Sequence, residues 1–257
     1  MSEPATPGTP TRHEAPIPSP MFKARLAGGL WLLVIAAGVF ALVVRDTLIV
    51  PGDAAATAAA ILAAEQLFRL GFVSDLVSAG AYVATTFLLY ELLRPVSRSA
   101  SLFAALLGLA GSVIMAANLV NLLGALLYLK GGPALAALEA GQLQAMAMHS
   151  LRLHALGYNI SVVVFAAHLF MLGWLLLRST FLPRFLGLLL VLAWLTWWIN
   201  SFAIFLAPAL AAHLYPYILL PSFAAEGGLA LWLLVMGVNA EKWRDQSRAN
   251  CLEARDR

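Results

Sequence analysis

Residues 153–177 read LHALGYNISVVVFAAHLFMLGWLLL, an apolar run that begins after Arg152 and ends before Arg178. A helix needs about 20 such residues to cross about 30 Å of hydrocarbon, so this run is long enough to span a membrane. Five further runs in the chain have the same character. The six predicted spans are residues 26–44, 71–93, 102–129, 153–177, 184–207 and 216–239.

The composition agrees with a chain that uses lipid as its solvent. Of its 257 residues, 61% are hydrophobic and 11% are charged, whereas soluble domains are about half apolar and about a quarter charged. The net charge of +3 comes from Lys and Arg at the helix ends, so we attribute it to topology and expect no nucleic-acid partner. Cys251 is the only cysteine, which excludes an intramolecular disulfide and a CxxC redox motif.

The basic residues between the spans fall mainly on one side. Twelve lie on the side of the two chain ends and four on the other, so the positive-inside rule predicts cytoplasmic N- and C-termini. The twelve are Arg12, Lys23, Arg25, Arg94, Arg98, Arg178, Arg184, Lys242, Arg244, Arg248, Arg255 and Arg257, and the four are Arg45, Arg69, Lys130 and Arg152.

These patterns predict an all-α integral membrane bundle of six transmembrane helices with two external interfacial helices. Residues 1–22 are rich in proline and are predicted to form a disordered cytoplasmic tail. Residues 23–240 form the six-helix transmembrane domain in this prediction, and residues 241–257 form a cytoplasmic C-terminal tail. The external helices are expected within residues 45–70 and 130–152, where they would lie over the outer end of the bundle.

Local signals support both external helices. Asp53 follows a Pro-Gly turn and is placed to cap an Ala-rich helix. Glu65 and Arg69 lie four residues apart, in the favourable order for a helical ion pair. Pro133 is suited to the first turn of the second helix. Polar residues at steps of three and seven then form one stripe, which consists of Glu139, Gln142, His149 and Arg152.

The third span carries a stripe of small residues. Ala104, Gly108, Ser112 and Ala116 recur every four residues, and small residues at this spacing let helices approach closely in lipid. We interpret the stripe as a packing feature and not as a ligand site.

Several separate runs form a recognisable series. They are ARLAGGLWLL (24–33), VRDTLIVPGDAAATAAAI (44–61), EQLFRLGFVSDL (65–76), LYELLRPVSR (89–98), QLQAMAMHSLRLHALGYNISVVVFAAHLFMLGWLLLRSTFLPRFLGLLL (142–190), and PxxLLP followed by EGGLALWLLVMGVN (216–239). From about Ala24 to Asn239 the chain resembles the bacterial membrane proteins grouped as domain-of-unknown-function family 4386. The resemblance implies a multi-pass bacterial membrane protein and no particular activity, and we expect the protein in the bacterial cytoplasmic (inner) membrane.

Polar side chains inside the spans lie mostly at one depth. An Asp or Arg at the centre of a membrane helix costs about 2.5–3.5 kcal/mol on insertion scales, so each such residue needs a reason. Five spans place polar groups in their outer third, and the inner halves are nearly all apolar apart from Glu91 and His168. The outer groups are Asp75, Asn118, Asn121, His154, Tyr158, Asn159, Ser161, Thr196, Asn200, Ser222 and Glu226. This common level predicts a polar cavity in the outer third, roofed by the two external helices.

The cavity favours a protein that binds a lipid-like or small amphipathic ligand, in addition to membrane lipids. Arg69 and Arg152 are predicted to hold an anionic head, and the other polar residues would supply hydrogen bonds. The candidate ligand-binding residues are Glu65, Arg69, Asp75, Asn118, Asn121, His149, Arg152, His154, Asn159, Asn200 and Glu226.

Two of these acids have a second interpretation. Glu226 is either a buried functional acid or a carboxylate that complements the dipole of its helix. Asp75 starts a helix near the interface and has two candidate partners, Arg45 and Arg69.

The histidines do not predict a metal site. His154 and His168 share one face of the fourth span but are fourteen residues apart, about 21 Å along a helix, so they cannot bind one metal ion or one haem. We therefore predict no metal and no cofactor. His168 is expected to be a hydrogen-bonded core residue, and Asn118 and Asn121 are expected to join helices.

Three other functional classes stay open beside ligand binding. We disfavour an enzyme because the chain has no GxSxG, HExxH or phosphate-binding glycine loop; in an enzyme, Glu226 and His154 would be the acid and base. Two observations disfavour a transporter or channel: the inner halves of the spans contain few polar groups, and the sequence shows no inverted repeat. A structural or sensing subunit would use the polar residues only to hold helices together. The sequence does not decide whether the protein is a homo-oligomer.

Overall fold

The structure is a computed structural model that describes residues 19–253, and within these residues it contains helices and no strand. The predicted disordered tail therefore lies outside the described residues, except that its last residues already belong to the first helix. The helices are α1 (Pro20–Leu48), α2 (Ala54–Ala63), α3 (Glu65–Leu93), α4 (Arg98–Asn118), α5 (Val120–Lys130), α6 (Ala140–Arg178), α7 (Arg184–Leu206), α8 (Pro208–Leu214), α9 (Leu220–Val235) and α10 (Ala240–Glu253), with 3₁₀ turns at Pro133–Leu135 and Tyr217–Leu219.

Six helical segments of the described chain are long and apolar enough to cross a membrane, which confirms the predicted six-span fold. They are α1, α3, α4 together with α5, α6, α7, and α9 with the 3₁₀ turn before it. The third span is interrupted at Leu119, whose backbone N–H is shared between the carbonyls of Met115 and Ala116. The chain is therefore a multi-pass membrane protein.

Local sequence explains where several of these helices begin and end. The Oγ atoms of Ser19 and Ser97 accept hydrogen bonds from backbone N–H groups in the first turns of α1 and α4. Glu139 and Gln142 form a capping box at the start of α6. Gly237 has a φ of +67°, a left-handed conformation that ends the α9 segment before α10.

The six spans form a closed ring in chain order. Helix α1 packs on α3, α3 on α4, α4 on α6, α6 on α7 and α7 on α9, and α9 returns to pack on α1. We call the two ends of this ring the α2 end, where α1 and α7 finish, and the α10 end, where α3 and α9 finish. A ring of this kind has a centre that side chains either fill or leave open.

Glycines allow the closest approaches in the ring. A Cβ atom on Gly28 of α1 would lie 2.5 Å from the carbonyl oxygen of Ala230 and 2.5 Å from the backbone nitrogen of Leu234 in α9. Gly173 of α6 and Gly187 of α7 face each other in the same way, with a Cβ on either one less than 3 Å from the other's carbonyl oxygen. These contacts require glycine because the neighbouring atoms are backbone and cannot move aside.

The predicted small-residue stripe of the third span also packs against neighbouring helices. Ala104, Gly108 and Ser112 are buried. A Cβ on Gly108 would lie 2.7 Å from Thr86 Oγ1 and 3.0 Å from His168 Cε1. The stripe is thus the surface by which α4 contacts α3 and α6.

The two halves of the ring are filled differently. Large apolar side chains such as Leu92, Leu172, Leu186 and Leu233 occupy the centre toward the α10 end and are almost completely buried. A second apolar cluster, which includes Ile61 of α2, lies at the α2 end between α1, α2, α3, α5 and α6. The centre of the ring toward the α2 end is left partly open.

The segments outside the spans differ from expectation at two places. Residues 140–152 do not form a separate external helix, because no proline interrupts the chain between Ala140 and Arg178 and α6 runs through without a break. Pro133 starts only a 3₁₀ turn. Helix α2 is a separate helix outside the six spans, and Asp53 caps it as predicted, accepting a hydrogen bond from the backbone N–H of Ala56.

Helix α10 occupies most of the predicted C-terminal tail and binds to the α10 end of the ring. The indole Nε1 of Trp243 donates a 2.8 Å hydrogen bond to the carbonyl oxygen of Leu92. The side chain of Gln246 accepts hydrogen bonds from the backbone N–H and the hydroxyl of Thr180, each 3.0 Å long. The side chain of Asn250 donates to the carbonyl oxygen of Pro95.

The neighbouring glycines Gly28 and Gly29 provide a matched test of ring closure. Gly28→Ala places a methyl group against the α9 backbone and should destabilise the protein by about 1–3 kcal/mol, as overpacking does. Gly29→Ala meets only the Leu234 Cδ1 atom at 3.8 Å and should be neutral or stabilising by up to about 1 kcal/mol. Thermal unfolding of both variants in mild detergent measures the difference, and equal melting temperatures would contradict the closure by Gly28.

Candidate functional site

A cavity of about 400 Å³ occupies the centre of the ring toward the α2 end. All six spans contribute to its wall, together with Tyr215 and Leu219 from the connection between α8 and α9. Most of the wall is apolar, and a few polar side chains converge on it. Sites for small molecules commonly have this volume and this mixture of apolar wall and few polar groups.

Aromatic side chains close the cavity toward the α10 end. Tyr82 of α3 lies at this floor, with ring centroids 4.6 Å from Phe165, 5.7 Å from His168 and 6.1 Å from Trp31. Tyr82 and Phe165 line the cavity, and the leucine-rich core follows beneath them. The described part of one chain therefore shows a cavity with a floor and no polar path through the bundle.

An ion pair between α1 and α3 lies in the cavity wall. The Arg45 guanidinium donates to the Asp75 carboxylate, whose side chain is only 2% exposed. Of the two partners considered for Asp75, the structure thus selects Arg45. Two serines of α3 join the same helices nearby, because Ser74 donates to the carbonyl oxygen of Ala37 and Ser78 donates to that of Val34.

His154 is held in one tautomer by its neighbours. The Nδ2 atom of Asn118 donates to the backbone carbonyl of His154 at 2.8 Å and lies 3.2 Å from His154 Nδ1. Because a carbonyl can only accept, the amide nitrogen faces both atoms and Nδ1 is an acceptor, so the hydrogen of the neutral ring is on Nε2. Asn121 donates to Asn118 Oδ1 at 2.9 Å and fixes the amide orientation. Asn118 therefore joins α4 to α6, as predicted.

Glu226 of α9 is the deepest acid of the cavity wall without a basic partner. Its Oε1 accepts a 2.9 Å hydrogen bond from the indole Nε1 of Trp197 in α7. The buried indole of Trp31 also lies against this carboxylate, but its Nε1 makes no hydrogen bond of normal geometry. No Lys, Arg or His among residues 19–253 forms an ion pair with Glu226.

The helix dipole does not account for Glu226. Helix α9 begins at Leu220, and its first turn contains no acid. The dipole acts mainly within the first turn of a helix, and Glu226 lies beyond it. Of the two interpretations of Glu226 that the sequence left open, the structure therefore weakens the one based on the dipole.

The cavity contains some of the predicted ligand-binding residues and not others. Five of them line it, namely Asp75, His154, Asn159, Asn200 and Glu226. Asn118 and Asn121 bind other helical groups instead. Glu65, Arg69, His149 and Arg152 lie outside the lining residues, at the α2 end of the bundle. Arg69 pairs with Glu65, which also accepts from Lys130, and Arg152 is exposed.

The predicted roof of the cavity is wrong in one respect. No residue of α2 lines the cavity, because its buried face, with Ile61, packs on the apolar cluster at one side of the ring. Asp46, Ile49, Tyr215 and Leu219 lie at the α2 end of the cavity instead.

Sequence reasoning missed three contributors to the wall. Arg45 was considered as a topological charge and as a partner for Asp75 but not as part of a site, and neither Tyr82 nor Trp197 was assigned to the site. The useful signal for Arg45 is its position at the end of the first apolar span. Asp75 lies in the next span along the chain, so the two residues are expected on neighbouring helices. Within residues 19–253, no three His, Cys, Asp or Glu side chains are placed together as metal ligands.

The buried and the exposed ion pairs of α3 provide a second test. Arg45→Met leaves the Asp75 carboxylate buried without its partner and should cost about 3–5 kcal/mol of stability. Arg69→Met breaks the exposed pair with Glu65 and should cost about 0–1 kcal/mol. Adding Asp75→Leu to Arg45→Met should recover most of the loss. Unfolding in mixed micelles measures each change, and a double variant less stable than Arg45→Met would argue against a coupled pair.

Comparisons with known proteins identify a family. The family described as Domain of unknown function (DUF4386) matches residues 26–237. Neither the curated proteins nor the solved structures contain a match to the chain. Because the family match covers most of the chain, the protein belongs to this family of unknown function, DUF4386.

Proposed function

We propose that the protein binds a lipid-like or small amphipathic molecule in the cavity at the α2 end of its ring. The observation that supports this function best is the cavity itself, about 400 Å³ in volume and lined by all six spans. In a bundle with a purely structural role, an open centre would only lower stability, because unfilled volume costs packing energy.

The chemistry of the wall suits a molecule with a polar head and an apolar body. Val34, Ile35, Leu42 and Val162 are among its apolar residues. The polar groups include the Nε2–H donor of His154 and the carboxylate of Glu226. A small number of oriented polar groups in an apolar pocket is the usual arrangement for selective ligand sites.

A purely structural role explains fewer of these observations. Such a role accounts for Asn118, Asn121 and Ser78, because each makes a hydrogen bond that joins or supports helices. It does not account for two tyrosines. Tyr82 and Tyr158 line the cavity, and within the described residues their hydroxyls make no protein hydrogen bond. Polar atoms of this kind are available to a ligand or to water.

The location that we propose for the cavity follows from the basic residues. Twelve of the sixteen Lys and Arg belong to the side of the chain ends, so the termini would be cytoplasmic and the α2 end would face outward. Because the chain resembles bacterial membrane proteins, we propose that this membrane is the cytoplasmic (inner) membrane of a bacterium. The ligand would then enter from the external leaflet or from the external aqueous phase.

Two glycines on adjacent helices allow the cavity to be blocked and the block to be controlled. Gly38 lines the cavity, and a Cβ there would have only Ser78 Oγ nearby at 3.8 Å. Gly80 of α3 is exposed on the outside of the ring, with nothing within 4 Å of its Cβ position. Gly38→Phe should therefore fill the cavity, whereas Gly80→Phe should add an equal ring on the lipid side.

Native mass spectrometry of the protein extracted in mild detergent checks this prediction. We expect a stoichiometric adduct on the wild type and on Gly80→Phe, and a bare mass for Gly38→Phe. Thermal unfolding of the two variants shows that both are folded. An adduct retained by Gly38→Phe, or a wild type without any adduct after gentle extraction, would contradict the proposed function.

A further inference from the structure

The cavity wall contains more acidic side chains than basic ones. Among the described lining residues, Arg45 is the one base that carries a fixed charge, and there are three acids, Asp46, Asp75 and Glu226. Arg45 is already paired with Asp75. The wall therefore presents one carboxylate at its α2 end, Asp46, and one deeper carboxylate, Glu226, without a basic partner.

The surroundings of Glu226 are aromatic. Trp197 donates to one carboxylate oxygen, and the indole of Trp31 lies against the same group. The rings of Tyr82 and Phe223 line the cavity with Glu226, and the Trp197 and Phe223 rings are in edge contact, with centroids 6.4 Å apart. Aromatic faces attract cations, because the face of an aromatic ring carries negative potential.

An anionic head is less suited to the same cavity. Arg69 and Arg152, which the sequence offered for such a head, do not line the cavity. The Arg45 guanidinium is the remaining candidate, and its partner Asp75 would have to release it. An anion would also meet the carboxyl group of Glu226, which has no basic partner among the described residues, in a wall of low polarity.

We propose that the ligand of this cavity is an organic cation, an amine or quaternary ammonium with an apolar body, whose charge pairs with Glu226 among aromatic rings. This inference rests on the proposed function and names its ligand class. The cation supplies the positive charge that no residue in the described part of the chain brings to Glu226. The apolar body then lies along the aliphatic wall between Glu226 and the α2 end.

Three probes test which head-group charge the cavity prefers, namely octyltrimethylammonium, octanol and octanoate. They have the same alkyl chain length and differ in the charge of the head group. Each is titrated by isothermal calorimetry into the protein in lipid nanodiscs. We expect saturable binding of the cation, about tenfold or more tighter than that of the neutral and anionic probes. Binding of octanol or octanoate as tight as that of octyltrimethylammonium would overturn the cation inference while leaving an amphiphile site. Binding of no probe, together with a wild type free of adduct, would overturn both proposals.

Variants of three acids locate the charge that the cation meets. Glu226→Gln should lose the preference for octyltrimethylammonium, and Glu226→Asp should restore part of it because the charge is kept. Glu241→Gln is the matched control, since Glu241 is exposed on α10 and forms no ion pair in the described residues. Asp46→Asn should lower the preference less than Glu226→Gln does, because Asp46 is an exposed carboxylate at the α2 end of the wall. Loss of the preference in Asp46→Asn instead of Glu226→Gln would overturn the assignment to Glu226, and thermal unfolding confirms that each variant is folded.

Discussion

Closure of the ring between the first and the last span is the constraint on which the other features depend. Gly28 lets α1 lie directly on the backbone of α9, and this contact joins the first and last of six spans whose other contacts follow the order of the chain. In lipid, no hydrophobic force draws helices together, so association depends on close packing and on hydrogen bonds between helices. Without closure, the polar groups of the wall would face hydrocarbon.

The closed ring also determines which polar groups are tolerated. Asp75 is neutralised across the α1–α3 contact, and Asn118 is satisfied across the α4–α6 contact. Each of these pairs stabilises a junction of the ring and at the same time forms part of the cavity wall or supports it. Glu226 is different, because its hydrogen bond to Trp197 spans the α7–α9 contact but supplies no charge. An ionisable side chain inside a membrane span is costly to insert, and the cationic ligand that we propose would supply the charge that Glu226 lacks.

Much of the fold and part of the site followed from the sequence. Hydropathy and length predicted the six spans, and position along each span predicted the level at which the polar side chains meet. Rotation about the helix axis was harder to predict, because neighbouring helices decide it. Tyr82 and Trp197 were therefore overlooked, and Arg152 was placed in the site although its side chain is exposed outside the cavity lining. The roof was misassigned for a similar reason, since the packing of α2 depends on a cluster of residues distant in sequence.

The continuity of α6 has a mechanical consequence. Its 39 residues extend for about 58 Å at 1.5 Å per residue, whereas the hydrocarbon core is about 30 Å thick. A large part of the helix must therefore project past the lipid, and in this ring that part is the segment that starts at Ala140. The same rigid rod carries His154, Tyr158 and Phe165 in the cavity wall. The projecting part of α6 and the part that lines the cavity thus belong to one continuous helix, so a tilt of the projecting part also displaces the cavity wall.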